Sequence, residues 1–341
     1  MDDFRFNLTA IRGQQSQQVI YLVIVPFRLL LKFLNLDTGP VLERSQRKTD
    51  PARTNRIVNY LKRNTSNYVL PPLVGCLEDG DFRFTPAAAN SCAGTISFSM
   101  EAKFKLFDGQ TRASSIIAVL KERPALSQDN IAIQLYTDLT LKQRQQAFSD
   151  INSNAKSVSR SLTLTYDHRD AYLSKLAEEI NKVRAWRGKI DHERNQANHK
   201  NNHLFSYRHV VAASVIVLGI TKAEAPSMTQ LLYVSSWWNS IAAAVGWDEP
   251  NIDVNKVTVT AAGLMSLARL GALIRECNKS NPEINQFDAA QRMFEVDWDK
   301  GAEMWQGVLV KDGKMTAGKA AEEAAVAVLA KKLKIDHMQG A

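Results

Sequence analysis

The sequence predicts an α+β protein, with a mixed α/β front domain over residues 1–200 and a helical domain over 201–341. Three observations carry this. "TISFSMEAKFKLF" (residues 95–107) alternates apolar and polar residues strictly, the pattern of a half-buried strand. "ASSIIAVLKE" follows almost at once with apolar residues at helical spacing, giving strand–turn–helix. Beyond a very polar tract at 188–208 the strand patterns fade, and the apolar patterns that remain are helical.

The elements follow in order. "VIYLVIVPFRLLLKFL" (residues 19–34) is the most apolar stretch, but Pro26, Arg28 and Lys32 leave its apolar run too short to span a bilayer. It reads as a buried strand over 18–25 leading into a short amphipathic segment. Pro51 opens a helix with apolar positions Ile57, Val58, Tyr60 and Leu61, ending near Arg63. "YVLPPLVGCLE" is extended, because the residue before each proline is pushed out of the helical region. Residues 129–140 form a further strand with Ile131, Ile133 and Leu135 on one face. Helices are expected from 141 to a break near Asn152–Asn154 and over 169–183. In the back half, helices are expected in "HVVAASVIVLGI", "MTQLLYVSSWWNSIAAAVGW", "VTAAGLMSLARLGALIREC" and "TAGKAAEEAAVAVLAKKLKI".

The 341 residues carry a net charge of +8. This favours partners bearing phosphate: nucleic acid, nucleotides or an anionic surface. The excess is concentrated early, with eleven Lys/Arg against five Asp/Glu in residues 1–63. Arg47, Lys48, Arg53, Lys62 and Arg63 are the candidate DNA contacts, and a solvated helix face is the alternative reading. Three widely spaced cysteines, Cys76, Cys92 and Cys277, imply no disulfide framework and fit a reducing cytoplasm.

The chemistry concentrates in "DGQTR" (residues 108–112), between the alternating strand and the helix. Helix N-terminal N–H groups favour anions. Gly109 lets the backbone approach one closely, and Arg112 adds a guanidinium. Asp108 could hold a metal or orient water, and Gln110 could position it. The alternative is an ordinary turn, with Asp108 capping the helix and Arg112 at the surface.

"FDGQTR" after a strand, followed by "FSDIN" (residues 148–152), resembles the DGQHR-domain family, and within it the DndB family of bacterial DNA phosphorothioation systems. "QRKTDPARTNRIVNYL" with "YVLPPLVG", "HLFSYRHVVAAS", "WWNSIAAAVGWDE" and "WDKGAEMWQG" are further similarities, covering most of residues 18–335. The resemblance implies a ParB/sulfiredoxin-like core whose strand–turn–helix binds nucleotide phosphates. It implies an accessory and regulatory protein that binds DNA and binds or hydrolyses ATP with Mg²⁺. Asp108, Gln110 and Arg112 would be the catalytic residues, Asp108 the metal ligand, and Gly109, Thr111 and Asn152 nucleotide contacts. The alternatives are a non-catalytic DNA-binding transcriptional regulator, a ParB-like nicking nuclease, and an ATPase of 7-deazaguanine DNA modification. The partners implied are DNA, nucleotide and other proteins of a modification operon, with no membrane and with an oligomer as an open option. Thr111 stands where the family pattern has His. Its hydroxyl can donate to a phosphate but cannot shuttle protons near neutral pH, which puts hydrolysis in question rather than binding.

Two other groupings invite a functional reading. His192, His199, His203 and His209 lie in the polar tract. It reads as a mobile linker or a loop near DNA, with a metal site through His199 and His203 as the sharper alternative. Trp237, Trp238, Trp247, Trp298 and Trp305 sit among Leu, Ala and Ile, so they read as core rather than as base-stacking platforms.

Overall fold

A computed structural model describes residues 4–33, 50–78, 81–153, 157–219 and 226–335. The chain divides into two compact units, Met1–Lys156 and Ser157–Ala341. It is α+β, as the sequence predicts. The division does not fall near residue 200. Leu176, Ile180 and Trp186, from the segment assigned to the front half, bury in the same core as the later helices.

The first unit contains β1 (Arg5–Gln15), β2 (Gln18–Pro26), α1 (Phe27–Phe33), α2 (Pro51–Arg63), β3 (Leu73–Glu78), β4 (Arg83–Pro86), β5 (Ala93–Ser99), β6 (Lys103–Asp108), α3 (Gln110–Glu122), β7 (Asn130–Thr137) and α4 (Leu141–Ser153). Its seven strands form one sheet in the order β4-β5-β1-β2-β7-β3-β6. All pairs are antiparallel except β3 with β7. Val23, Val25, Ile96, Phe98, Phe104, Leu106, Ile131 and Ile133 are buried in one core with Leu30 of α1, Val58 and Leu61 of α2, and Ile116 and Val119 of α3.

The alternating segment 95–107 is two strands, not one. Ala102 N donates to the Ser99 carbonyl in a turn (3.1 Å), and Met100, expected inside, is 46% exposed. β5 and β6 lie five places apart in the sheet order, about 24 Å if the sheet were flat. The chain from Ser99 to Lys103 reaches at most about 14 Å. The sheet therefore curls, and Phe98 meets Phe104 edge-on at a centroid distance of 5.3 Å.

The second unit contains α5 (Arg160–Tyr166), α6 (Ala171–Asn181), β8 (Ile190–Asp191), β9 (Phe205–Ser206), α7 (Tyr207–Leu218), α8 (Met228–Ile241), α9 (Ala261–Ser280), α10 (Gln286–Met293), β10 (Val310–Lys311), β11 (Lys314–Met315) and α11 (Lys319–Lys332). Helix α9 is central, packing against α7 and α11. Gly271 on α9 has no side chain because Trp237 fills the space: a Cβ would sit 2.6 Å from its ring. All six tryptophans of the chain are buried in this unit. Trp186, Trp238 and Trp247 pack mutually at centroid distances of 5.1–5.8 Å. The Nε1 groups of Trp238, Trp247, Trp298 and Trp305 each find an acceptor. Core packing is thus the role of the tryptophans.

Candidate functional site

The strand–turn–helix is formed by β6, Gly109 and α3. Gly109 is the N-cap with φ +92°, and no side chain caps the helix. Asp108 is therefore not the cap. Its Oδ2 accepts from Arg112 Nη2 at 2.5 Å, while Arg112 Nη1 donates to the Pro72 carbonyl at 2.8 Å. The Arg112 side chain is 16% exposed. The guanidinium thus ties the two ends of the turn together and fastens them to the residue that precedes β3. Gly109 lies inside this bracket, where a Cβ would meet Leu73 Cδ2 at 2.5 Å. Gln110 is buried and Thr111 half-buried, with the Thr111 carbonyl accepting from Ser115 Oγ at 2.7 Å.

The second motif lies on α4, which packs near β6. Arg144 of α4 pairs with Glu78 at the end of β3. Asn152 donates to the carbonyl of Phe148 on its own helix (2.8 Å) and makes no hydrogen bond to the DGQTR turn. Asp108, Gly109 and Arg112 are thus brought together, and Asn152 is not bonded to them. Among the described residues no group of three or more His, Cys, Asp or Glu could hold a metal ion. One carboxylate already ion-paired to Arg112 does not fit a protein-held Mg²⁺ site.

Helix α2 is the other candidate surface. Asp50 caps it, its side chain accepting from Ala52 N (2.9 Å), and Pro51 occupies the first turn. Val58 and Leu61 bury one side against α3. Arg53, Arg56 and Arg63 are exposed on the other, and at 100° per residue they fall within an arc of about 80°. None has an acidic partner among the described residues. Lys62 differs, being paired with Glu122 of α3 at 2.5 Å. Arg56 adds to the candidate contacts, and its spacing of three from Arg53 marks the shared face. Arg47 and Lys48 lie outside the described residues.

The histidine tract is not a loose linker. β8 and β9 pair in parallel across it, and buried Asp191 organises the loop by accepting from Glu193 N (3.1 Å) and Arg194 N (2.9 Å). Burial raises the Asp191 carboxyl, but these backbone bonds and nearby His203 outweigh it and hold it below its ordinary value. His199 Nδ1 faces the His203 carbonyl at 2.9 Å, so the pair makes a loop contact rather than a shared ligand set.

Comparison with known families decides the relationship. The DndB family, described as DNA-sulfur modification-associated, matches residues 8–336. The chain belongs to the DndB family. No curated protein and no solved structure gives a significant match. Membership of the DndB family associates the chain with a DNA sulfur modification system. Among the described residues no helix is long and apolar enough to cross a membrane.

Proposed function

We propose that this DndB-family chain is a DNA-binding accessory and regulatory protein of its modification system, engaging backbone phosphates through α2. The observation that carries this reading is the exposed row of Arg53, Arg56 and Arg63, unpaired among the described residues. It spans about 15 Å along the helix, enough to address successive phosphates. Binding to phosphates in this way is sequence-independent and releases counterions, so affinity falls steeply with salt. Fluorescence anisotropy with a DNA duplex across a salt series tests it. Replacing all three arginines by Ala should weaken binding and flatten the log–log slope by about 0.9 for each phosphate no longer neutralised. Lys62→Ala should leave the slope nearly unchanged, because Glu122 already holds that ammonium. A triple variant with the wild-type slope sinks the proposal.

A second reading, phosphate binding at the DGQTR turn, is supported by the absent side-chain cap at Gly109. ATP would approach the α3 N-terminus, and Mg²⁺ would arrive on the nucleotide's own phosphates. Arg112 would have to exchange Asp108 or Pro72 for phosphate. Calorimetry with MgATP separates the outcomes. Binding lost in Arg112→Ala supports the site. Turnover lost in Asp108→Ala makes it an ATPase, and binding without turnover agrees with Thr111 in place of histidine.

A further inference from the structure

The second unit holds a cleft of about 350 Å³ between α5, α6 and α7, within the size range of small-molecule sites. A smaller cavity of about 200 Å³ adjoins it, sharing Asn181 and His192. Trp186, whose buried Nε1 has no partner among the described residues, lines this second cavity.

The tautomer of His192 can be read from its neighbour. Thr165 Oγ1 has one proton, and it donates to the Ser161 carbonyl at 2.9 Å. The same oxygen lies 2.9 Å from His192 Nδ1, so it accepts there and Nδ1 carries the hydrogen. The Nε2 lone pair is then the ring's acceptor; no protein group meets it among the described residues, and His192 lines both cavities. The imidazole stacks on Tyr207 at 4.5 Å, which fixes the ring plane. Burial holds His192 below its ordinary pKa and so in the neutral, accepting form.

The rim has the opposite sign to the molecule. Asp167 and Glu178 line the cleft, are exposed, and have no cationic partner among the described residues. Among the described residues no Lys or Arg lines the larger cavity, in a chain of net charge +8. Such a site repels phosphate and offers acceptors, the complement of a ligand rich in N–H groups.

We propose that this cleft binds a small organic cation carrying N–H donors, an amine or guanidine, between the Asp167 and Glu178 carboxylates and His192 Nε2. The site lies in the second unit and does not depend on the DNA binding proposed for α2.

Calorimetric titration of the full chain with agmatine, which bears one guanidinium and one ammonium, tests the assignment. Wild type should show saturable one-site binding. Asp167→Asn with Glu178→Gln should weaken it about tenfold or more, the loss expected for charge-assisted hydrogen bonds. Both positions are exposed, so the fold should survive. His192→Phe keeps a ring against Tyr207 while removing the acceptor, and it should weaken binding by about as much. If that variant fails to fold, nitrogen-15 spectra of the wild-type imidazole replace it: Nε2 should start as the unprotonated nitrogen and shift on agmatine addition. Absence of saturable binding, undiminished binding in the rim double variant, or an Nε2 resonance indifferent to agmatine each overturns the proposal.

Discussion

At the residue scale, the DGQTR turn is a bracket built around one glycine. The need for glycine was legible: a strand running straight into a helix demands a tight turn, and φ +92° is a conformation L-residues adopt only at a cost. What the guanidinium does was not legible. Its partners are Asp108 and the carbonyl of Pro72, forty positions away along the chain, and no local pattern encodes a contact of that range. Gly109→Ala should therefore destabilise the first unit on two counts. The positive φ costs about 1–2 kcal/mol, and the added methyl must displace the buried Leu73 side chain. The urea midpoint followed by far-UV circular dichroism should fall accordingly. A midpoint equal to wild type would mean that the turn relaxes to a conformation other than the one described.

At the scale of elements, the helices were read well where caps and period agreed. Helix α2 begins at Pro51 and ends at Arg63, as the proline and the polar stretch after it indicate. The strand reading failed where parity survived a turn. Ile96 and Phe98 on β5, Ala102 in the turn, and Phe104 and Leu106 on β6 all point to one core, so the alternation runs unbroken across a change of strand. Only exposed Met100 betrays it, and sequence does not display exposure. The same limit governs the basic helix. Lys62 and Arg63 are neighbours with equal charge, yet Lys62 lies over α3 within reach of Glu122 and Arg63 does not. Which cations of α2 carry an acidic partner from α3 is decided by the packing of the two helices, and under the proposed DNA binding the salt-slope contrast between Lys62→Ala and the triple arginine variant reads that packing.

At the scale of the molecule, the two units differ in what reports on them. All six tryptophans belong to the second unit, so tryptophan emission follows that unit's core. The same unit holds two histidines that its core keeps neutral. Burial, with Arg208 nearby, pushes His209 from its ordinary 6.5 to about 4. His192 is lowered mainly by burial. His209 Nδ1 lies 3.0 Å from Ser206 Oγ, which itself donates to the Asn195 carbonyl, so the neutral ring helps close the polar tract. The sign of the pH dependence follows from linkage. With the folded pKa depressed, the unfolded chain binds the proton more readily, and stability rises with pH across the interval between the two values. The contribution is fully present above pH 6.5 and is lost progressively as pH falls toward about 4. The urea midpoint by tryptophan emission should therefore drop between pH 7.5 and pH 5, and His209→Gln should flatten that drop by removing the titrating ring. A midpoint level across this range, or an unaltered slope in His209→Gln, would show that the polar tract opens enough to hydrate the imidazole. The closed loop around Asp191 would then be only one of the states that this unit visits.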